Sequence, residues 1–589
     1  MITIRRSMRR PAIALITFIV LAIWWTGIPG FSSKVIQIDN VDYRTPSYDW
    51  ARVKLQYPRE SIKPLPVGSP LALPKVQHVF STAKPPQDEA AKVESRKQAV
   101  LQAFRRSWSS YKKYAWGWDE LVPIAGAGKN TFGGYGASIV DALGTLWIMG
   151  QKEDFAEAVR TVALIDWNNT TLTSVNMFET TIRYLGGLLS AYDLSGEPVL
   201  LTKAVELGEM LYFGFDTPNH MPPFWLQFSS AKLGTLSASD HDPLTSGGSL
   251  SLEFTRLSQL TGNPKWYDAT ERVKEFLHNT QKDTKIPGMW PAFLSYRRLT
   301  ASESHFTIGA QADSVYEYLP KMHALLGGLD PEYPEMTKAS FDAIKANLLF
   351  SPMTPDNADI LFAGDANARS GNKADLSPDM QHLSCFLGGS YALAARLLSD
   401  KSYLDIGARL TRGCVWAYAA LPTGIMPEIS TFLPCASATD PEVSDRLAAC
   451  KWSDSVWDAK APKSRGSGGA ELPKGYMGAR DTSYMLRPEA IESVFYMWRI
   501  TGDAVWRDAA WDMFQAIVAA TETKLAYSSI RNVNTPKGVE TQKTDSTESF
   551  WFSETMKYFY LIFEDPGLVS LDDWVFNTEA HPLKRPTRG

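Results

Sequence analysis

Acidic side chains recur beside arginines and aromatic rings in several widely separated segments of this 589-residue chain. In "FETTIRYLGGLL", Glu179 and Arg183 are four residues apart, and Asp313 and Glu317 have the same spacing in "GAQADSVYEYL". This spacing places two side chains on one face of a helix. The segments "RPEAIES" and "ESFWFSET" contribute Glu489, Glu492, Glu548 and Glu554.

Carboxylates in this arrangement suit the hydrolysis of a glycosidic bond, which needs an acid and a base or nucleophile across a sugar ring. The 19 Trp and 23 Tyr provide rings that pack in cores and also stack on sugars. The sequence has no HExxH zinc motif, no GxSxG elbow and no P-loop, and its histidines show no metal-ligand spacing. A formal net charge of −4 gives no basic surface for nucleic acid. The residues therefore favour a glycosidase.

The elements that must position these residues are helical hairpins. From about residue 91, an apolar helix, a short turn and a second helix recur in seven units, with turns at 148–155, 194–201, 260–267, 326–333, 398–405 and 500–507 and a half-unit ending at 563–568. Gly or Asp after an apolar run ends a helix, and Pro just beyond resists its continuation. Because no hairpin can bury its apolar face alone, the repetition predicts a stacked or closed array. We predict an all-α fold, an (αα)7 barrel, with strands confined to loops.

The first helix of most units begins near a polar residue. These residues are Asp141, Glu179, Asp313, His382, Glu489 and Glu548. An acidic residue at one helix N-terminus is also explained by the helix dipole. Its recurrence in successive units predicts a shared pocket at one end of the barrel.

The N-terminal region predicts attachment to a membrane. Four arginines within residues 1–10 precede an uncharged apolar run at 11–31, which is long enough to cross a bilayer. A cleaved signal peptide is the alternative, but no A-x-A-like site follows the run. We predict a cytoplasmic tail (1–10), a transmembrane signal anchor (11–31), a Pro-rich stem (32–90), a lumenal catalytic domain (91–583) and a short tail (584–589).

Two features agree with a secretory compartment. The stretch "NNTT" contains overlapping N-glycosylation sequons at Asn168 and Asn169. The four cysteines lack CxxC spacing, so disulfides are their expected use in an oxidising lumen. Four cysteines allow three pairings. We predict the sequential one, Cys385–Cys414 and Cys435–Cys450.

Seven dispersed motifs resemble the class I α-mannosidases of glycoside hydrolase family 47. They are "YKKYAWGWDELVP", "FETTIRYLGGLLSAYDLSG", "GAQADSVYEYL", "HLSCFLGG", "RPEAIESVFYMWRITGD", "ESFWFSETMKYFYL" and "VFNTEAHPL", in order over about residues 95–583. The resemblance implies an (αα)7 barrel and type II membrane topology in the endoplasmic reticulum or Golgi. It also implies calcium-dependent, inverting removal of α-1,2-linked mannose from N-glycans, and we expect a monomer.

The resemblance also assigns roles to the polar residues. Glu179 corresponds to the general acid, acting through a water, and Glu489 to the base that activates the attacking water. Asp313 corresponds to a third essential carboxylate, which has itself been argued to be the acid. The expected substrate-binding residues are Arg183, His382, Arg487 and Phe550, with Phe550 under the terminal sugar.

The C-terminal "VFNTEAHPL" acquires a role in the same way, although chain ends are normally frayed. The resemblance implies that Thr578 binds Ca²⁺ through its backbone and hydroxyl oxygens. The carboxylates expected to hold the surrounding waters are Glu489, Glu492, Glu554 and Glu579. Oxygen ligands with many waters suit Ca²⁺. Val575 and Phe576 are expected to anchor this segment in the barrel, and Cys385–Cys414 corresponds to the family's disulfide.

Four positions depart from the family pattern. Gly144 replaces the usual Asp, Ser246 a Glu, Gln381 an Asp, and Gln311 the Arg or Leu of the two main enzyme types. These positions are expected around the +1 mannose and the groove that selects the branch. A site built to hydrogen-bond a hydroxyl discriminates strongly, so its loss alters choice. We predict retained hydrolysis with an altered leaving-group side.

A binding protein is the alternative, because glycan-binding quality-control proteins resemble the same family and a fold does not fix a function. Such a protein recognises trimmed mannose with little turnover. Retention of Glu179, Asp313, Glu489 and Thr578 favours catalysis, since binding alone needs no acid and base.

Overall fold

The computed structural model describes residues 38, 41–83, 85–369, 373–438, 445–463, 466–467 and 470–586. Helices dominate this part of the chain, as the predicted all-α class requires. Those of eight or more residues are α1 Gln87–Tyr114, α2 Ala137–Ile148, α3 Lys152–Ala163, α4 Gly186–Ser195, α5 Pro198–Tyr212, α6 Ser251–Thr261, α7 Lys265–Thr280, α8 Asp313–Leu325, α9 Glu332–Asn347, α10 Leu387–Leu397, α11 Lys401–Ala419, α12 Glu489–Thr501, α13 Val505–Thr521 and α14 Met556–Phe563.

The strands are short and antiparallel and form small sheets between the helices. They are β1 Glu120–Val122, β2 Ala127–Lys129, β3 Ser174–Asn176, β4 Trp225–Gln227, β5 Asp242–Pro243, β6 Phe293–Leu294, β7 His305–Phe306, β8 Leu349–Phe350, β9 Phe362–Ala363, β10 Asp365–Arg369, β11 Lys373–Ser377, β12 Asp379–Gln381, β13 Ile429–Phe432, β14 Gly466–Ser467, β15 Ala470–Glu471, β16 Tyr476–Asp481, β17 Trp574–Phe576 and β18 Pro582–Lys584. In the three-stranded sheet β12–β13–β16, β12 ends directly before His382. The sheet therefore fixes the start of one helical unit.

The helices pair as the sequence predicts, and each complete turn lies between two helices of a hairpin. The pairs are α2–α3, α4–α5, α6–α7, α8–α9, α10–α11 and α12–α13, while α14 packs against α1. The first helices also contact one another in the order α2, α4, α6, α8, α10, α12, α14, and the segment preceding α14 contacts α2. The contacts thus link the first helices of successive hairpins in chain order.

Burial distinguishes the first helix of a hairpin from the second, as α12 and α3 show. In α12 every residue from Ala490 to Ile500 is buried, because both of its faces pack against neighbours. In α3, by contrast, buried residues such as Phe155, Val159 and Val162 follow helical spacing on one face. Burying apolar surface at about 25 cal/mol per Å² is the main stabilising contribution to such a fold.

A segment that is not α-helical directly precedes three helices, α4, α10 and α14. The sequence pattern does not predict these segments. Residues Thr180–Leu185, before α4, and Trp551–Thr555, before α14, are π-helical. Residues His382–Phe386, before α10, form a 3₁₀-helix. Single π-helical turns are rare and frequently occur at functional sites. All three segments contain residues to which the resemblance assigns a role, or directly follow one.

The strap, residues 41–83, is irregular as expected of a stem but lies along the outside of the helical domain. Three buried or half-buried aspartates of the domain accept hydrogen bonds from its backbone N–H groups. Asp216 binds Gln56 and Tyr57 at 2.9 and 2.7 Å, Asp268 binds Lys63 at 2.7 Å, and Asp572 binds Val76 at 2.7 Å. The prediction of a spacer over 32–90 is therefore wrong for the strap, because its backbone groups are satisfied by the domain itself. Helix α1 also begins before residue 91, at Gln87.

We expect Asp216→Ala to lower the free energy of unfolding by about 1.5–3 kcal/mol, because it removes charge-assisted hydrogen bonds to the strap. Urea unfolding followed by circular dichroism measures this change. Asp512→Ala, on an exposed position of α13, is the matched control and should change stability by less than about 0.5 kcal/mol. Equal stability of both variants would show that the strap contributes nothing to the fold.

Both predicted disulfides are present. Cys385–Cys414 joins the 3₁₀-helix before α10 to α11, and Cys435–Cys450 closes the insertion that follows β13. The latter bond lies in a small separate cluster with Met353, Leu433 and Trp457. The predicted cytoplasmic tail and signal anchor fall outside the described residues. Among the residues that are described, no helix combines the length and apolarity needed to cross a membrane.

Candidate active site

The C-terminal segment enters the interior of the helical domain, as predicted. Strand β17 pairs with β18, and Val575 and Phe576 are buried. Gly186, at the start of α4, permits this approach, since a Cβ atom there would lie 2.5 Å from Nδ2 of Asn577. The segment 575–583 is therefore part of the core, apart from the half-buried Thr578.

Asn577 fixes the turn between the two strands. Its Oδ1 accepts hydrogen bonds from the backbone N–H groups of Glu579 and His581 at 3.0 and 2.8 Å. Its Nδ2 donates to the carbonyl of Ile182 at 3.0 Å and to Glu253 at 2.7 Å. Asparagine commonly holds such turns through its side chain. The turn is thereby tied to the π-helical segment before α4, which contains Ile182, and to α6, which contains Glu253.

Thr578 occupies the tip of this turn and suits a calcium ligand. Its N–H donates to the hydroxyl of Tyr318 at 3.3 Å. Within the described part of the chain, neither its carbonyl nor its hydroxyl oxygen has a hydrogen-bond partner. Two unpaired oxygens from one residue are the donor type that Ca²⁺ prefers.

The carboxylates predicted around Thr578 lie close to one another, and the positive charge beside them is too small to keep them ionised. Burial, followed by the charges of neighbouring carboxylates, raises the pKa of Glu492 and Glu554 well above the usual value. Burial also raises the pKa of Glu579, although Arg183 opposes the shift. A bound cation would stabilise the ionised form of all three. Their surroundings therefore fit a divalent ion.

The acidic oxygens around Thr578 do not form a compact set of direct ligands. Among the described residues, the group of three with ligand atoms all within 4.8 Å is Glu271, Asp330 and Glu332. Lys274 donates to each of these at 2.5–2.9 Å, so an ammonium already neutralises them. At Thr578 the carboxylates would have to act through water, as the resemblance implies.

Arg183 connects the predicted acid, Glu179, to the turn at residues 577–581. Its Nε donates to Glu179 at 2.8 Å, and its Nη1 donates to Glu579 at 2.6 Å and to Ser549 at 3.0 Å. Its guanidinium carbon lies 5.7 Å from the ring centre of Phe550. The side chain of Arg183 is 7% exposed and that of Glu179 is 29% exposed. A buried cation therefore orients a carboxylate that remains partly exposed to solvent.

Glu489, the predicted base, begins α12 and is held by two cationic or polar partners. His382 Nδ1 lies 2.9 Å from one of its carboxylate oxygens, and Arg487 Nη1 lies 3.6 Å from the other. Although burial raises the pKa of Glu489, the hydrogen bond from His382 and the charge of Arg487 hold it below its usual value. A carboxylate kept ionised in this way can accept a proton from water.

The pKa of Asp313, the first residue of α8, is shifted in the opposite direction to that of Glu489. Burial raises its pKa to about 7, and the charges of Glu317 and Glu489 add to the shift. The backbone N–H of Ser314, at 2.8 Å, only partly opposes it. Two nearby carboxylates whose pKa values are pushed apart are typical of an acid and a base. The structure thus brings Asp313 and Glu489 into one electrostatically coupled site.

Sequence reasoning missed several supporting residues. Tyr418 lies 2.7 Å from His382 Nε2, Glu428 accepts from Arg487, and Glu253 accepts from Tyr318 at 2.8 Å. Glu428 belongs to no quoted motif and comes from a loop. The sequence gives no signal for its pairing, because the contact depends on how α12 meets the β12–β13 sheet.

Three of the four departures from the family pattern lie in neighbouring segments, since the carbonyl of Gln311 accepts from the N–H of Thr245, the residue before Ser246, at 3.1 Å. Gln311 is exposed at a turn with φ +84°, and Gln381 accepts from the N–H of Ala310 at 3.0 Å beside it. Ser246 is fully buried, with its hydroxyl donating to Pro243 at 2.8 Å. Gly144 is buried within α2, where its nearest neighbours are Ser190, Leu194 and Lys557. It is thus apart from the other three positions, and its expected role at the branch-selecting groove stays a prediction.

Gly144 instead faces a buried lysine. A Cβ atom at this position would lie 4.0 Å from Nζ of Lys557 and 3.5 Å from the hydroxyl of Ser190. The expected Asp would thus stand beside an ammonium. With glycine there, Lys557 donates to the carbonyl of Ala580 at 2.5 Å, and burial lowers its pKa to about 7. Glycine at this position therefore leaves Lys557 to hold the turn at residues 577–581 through the carbonyl of Ala580.

The two sequons are not equivalent. The amide of Asn168 donates to Tyr48 at 3.0 Å and to Asp166 at 3.1 Å, and its oxygen accepts from Trp50 at 2.8 Å. Asn169 is exposed. In this fold only Asn169 presents a side chain that is open to modification.

Comparisons with known proteins agree with the geometry. The model of the family "Glycosyl hydrolase family 47" matches residues 103–585. The human endoplasmic reticulum mannosyl-oligosaccharide 1,2-alpha-mannosidase is 34% identical over 506 residues, which cover 83% of this chain and 64% of that protein. A mannosyl-oligosaccharide 1,2-alpha-mannosidase of Arabidopsis thaliana is 34% identical over 85% of this chain and 80% of its own length.

A solved structure shows the same fold. The alpha-1,2-mannosidase from Trichoderma reesei superposes with a TM-score of 0.73 at 31% identity, covering 83% of this chain and 99% of its own. These proteins are named as hydrolases, in agreement with the enzyme class expected from the motifs. This chain is a member of glycosyl hydrolase family 47.

Proposed function

We propose that this protein is a calcium-dependent, inverting exo-α-mannosidase with an (αα)7 barrel, which removes α-1,2-linked mannose from N-glycan oligosaccharides in the secretory pathway. The electrostatic coupling of Asp313 with Glu489, with Glu179 held by Arg183 beside Glu579, carries the proposal. The 1,2-alpha-mannosidase names of the relatives support the substrate class.

The chain's own residues supply the acid and base. Glu489, held ionised by His382 and Arg487, accepts a proton from the attacking water. Asp313, kept protonated to about pH 7, donates toward the leaving oxygen, directly or through Glu179 and a water. Inversion requires room for water between the two carboxylates. The proposal therefore requires a water to fit between Asp313 and Glu489.

Calcium would bind the two unpaired oxygens of Thr578, with Glu489, Glu492, Glu554 and Glu579 accepting from its waters. When bound, it supplies a hard cation that coordinates sugar hydroxyls. Phe550, which is 8% exposed, then forms part of the wall beneath the terminal sugar. Arg183 holds Glu179 and Glu579 in fixed positions beside it.

Binding without turnover is the second candidate and is not favoured. The relatives are named as hydrolases, and a binding site needs no pair of carboxylates with opposed pKa values. The exposed Gln311 supports an altered +1 subsite, because it stands where the resemblance leads us to expect Arg or Leu. We propose that this residue changes branch preference without abolishing hydrolysis.

We expect the protein to release mannose from α-1,2-mannobiose, and an excess of chelator to lower the rate by at least about 100-fold. A panel of α-1,2-, α-1,3- and α-1,6-mannobioses, assayed by free mannose, measures this. Added Ca²⁺ should restore activity. Glycan binding without mannose release would instead support the binding protein, and a preference equal to that of an ordinary α-1,2-enzyme would remove the case for an altered +1 subsite.

A further inference from the structure

The Asp119 loop, residues 119–137, is built around a fully buried carboxylate that has no role in the chemistry above. Asp119 accepts hydrogen bonds at 2.8–3.1 Å from five donors. They are the backbone N–H groups of Phe132, Gly134, Gly136 and Ala137 and the hydroxyl of Tyr184. A buried carboxylate satisfied in this way fixes the conformation of the surrounding backbone.

The loop is attached directly to the segment that carries Arg183. Tyr184, which donates to Asp119, is the next residue after Arg183 in the π-helix. Its hydroxyl also lies 3.2 Å from the carbonyl of Phe132. At Gly133 and Gly134, φ is +101° and +78°, a conformation that side chains rarely adopt. The turn after Phe132 therefore depends on glycine.

This construction places the ring of Phe132 against the guanidinium of Arg183. The ring centre lies 4.4 Å from the guanidinium carbon, closer than the 5.7 Å to Phe550. Phe132 remains partly exposed. A ring at this distance attracts the cation and restricts its rotation. Since Arg183 Nε donates to Glu179, the ring also controls the direction of that carboxylate.

We propose that Phe132 is a positioning residue of the mannosidase reaction. It holds the plane of the Arg183 guanidinium so that Glu179 faces the leaving oxygen. The inference rests on the proposed function, because it assigns a consequence to the orientation of Glu179. It concerns a ring that belongs to none of the quoted motifs and that acts through Arg183.

Phe132→Ala should lower kcat for α-1,2-mannobiose about tenfold and change KM less than about twofold. A loss confined to kcat is expected because the ring acts on the orientation of Glu179 through Arg183 and not on glycan binding. Phe132→Tyr keeps the ring and should retain wild-type kcat and KM.

Trp511→Ala is the matched control, since Trp511 also lies over an arginine, Arg96, at 5.4 Å, but on the outer helix α13. It should leave kcat and KM unchanged. Unchanged kinetics in Phe132→Ala, or an equal loss in Phe132→Tyr, would overturn the inference.

A crystal structure of Phe132→Ala separates this inference from the proposed function. We expect Arg183 to lose its contact with Glu179. If the contact persists, the positioning role is wrong, whether or not the wild-type protein releases mannose. Absence of mannose release by the wild type contradicts the proposed function alone.

Discussion

Replacement of Glu489 by Gln should lower kcat for mannose release by at least about 1,000-fold, while glycan binding remains. Glutamine preserves the size of the side chain and its contact with His382, but it cannot accept a proton from water. Because Glu489 is the ionised member of the carboxylate pair, its removal eliminates the base and leaves the neutral Asp313 in place. Mannose release and glycan affinity, measured on the same preparation, check this result.

Glu335→Gln is the matched control for this variant. Glu335 also lies in the first turn of a helix, α9, but it is exposed and makes no ion pair within the described residues. Activity should be unchanged in the control. Substantial mannose release by Glu489→Gln would exclude Glu489 as the base.

Thr578→Val should weaken Ca²⁺ binding beyond the 10–100-fold that loss of an outer-shell partner typically costs, and mannose release should fall with it. Valine has the shape of threonine but lacks the hydroxyl oxygen. That oxygen has no partner among the described residues, so stability without calcium should change by less than about 0.5 kcal/mol. Isothermal titration with Ca²⁺ and thermal melting in chelator measure the two quantities separately.

Thr300→Val is the corresponding control, because Thr300 is exposed and its hydroxyl makes no hydrogen bond with the described residues. Unaltered Ca²⁺ affinity in Thr578→Val would refute the hydroxyl as a ligand. Deletion of residues 577–589 cannot make this distinction. It would also remove strand β18 and the contact between His581 and Asp141 at 3.1 Å.

The sequence by itself determined the order and boundaries of the helical hairpins. Gly and Pro signals at turns such as 260–267 act locally, so they could be read without knowledge of the tertiary structure. The same holds for Asp313 and Glu489, which begin their helices as expected. The disulfide pairing was predicted as well, since both bonds join cysteines close in sequence.

Only the tertiary structure decided which residues from distant segments of the chain contact one another. The strap, Glu428 and Phe132 acquire their partners from elements far away in the chain, and no local pattern encodes those contacts. Gly144 shows the same limit, because its place beside Lys557 depends on how α2 packs against α14. Pairing of this kind arises when the ring closes and buried polar groups must find partners. The local sequence thus determines which helices form. The packing of these helices against one another determines which side chains surround Thr578.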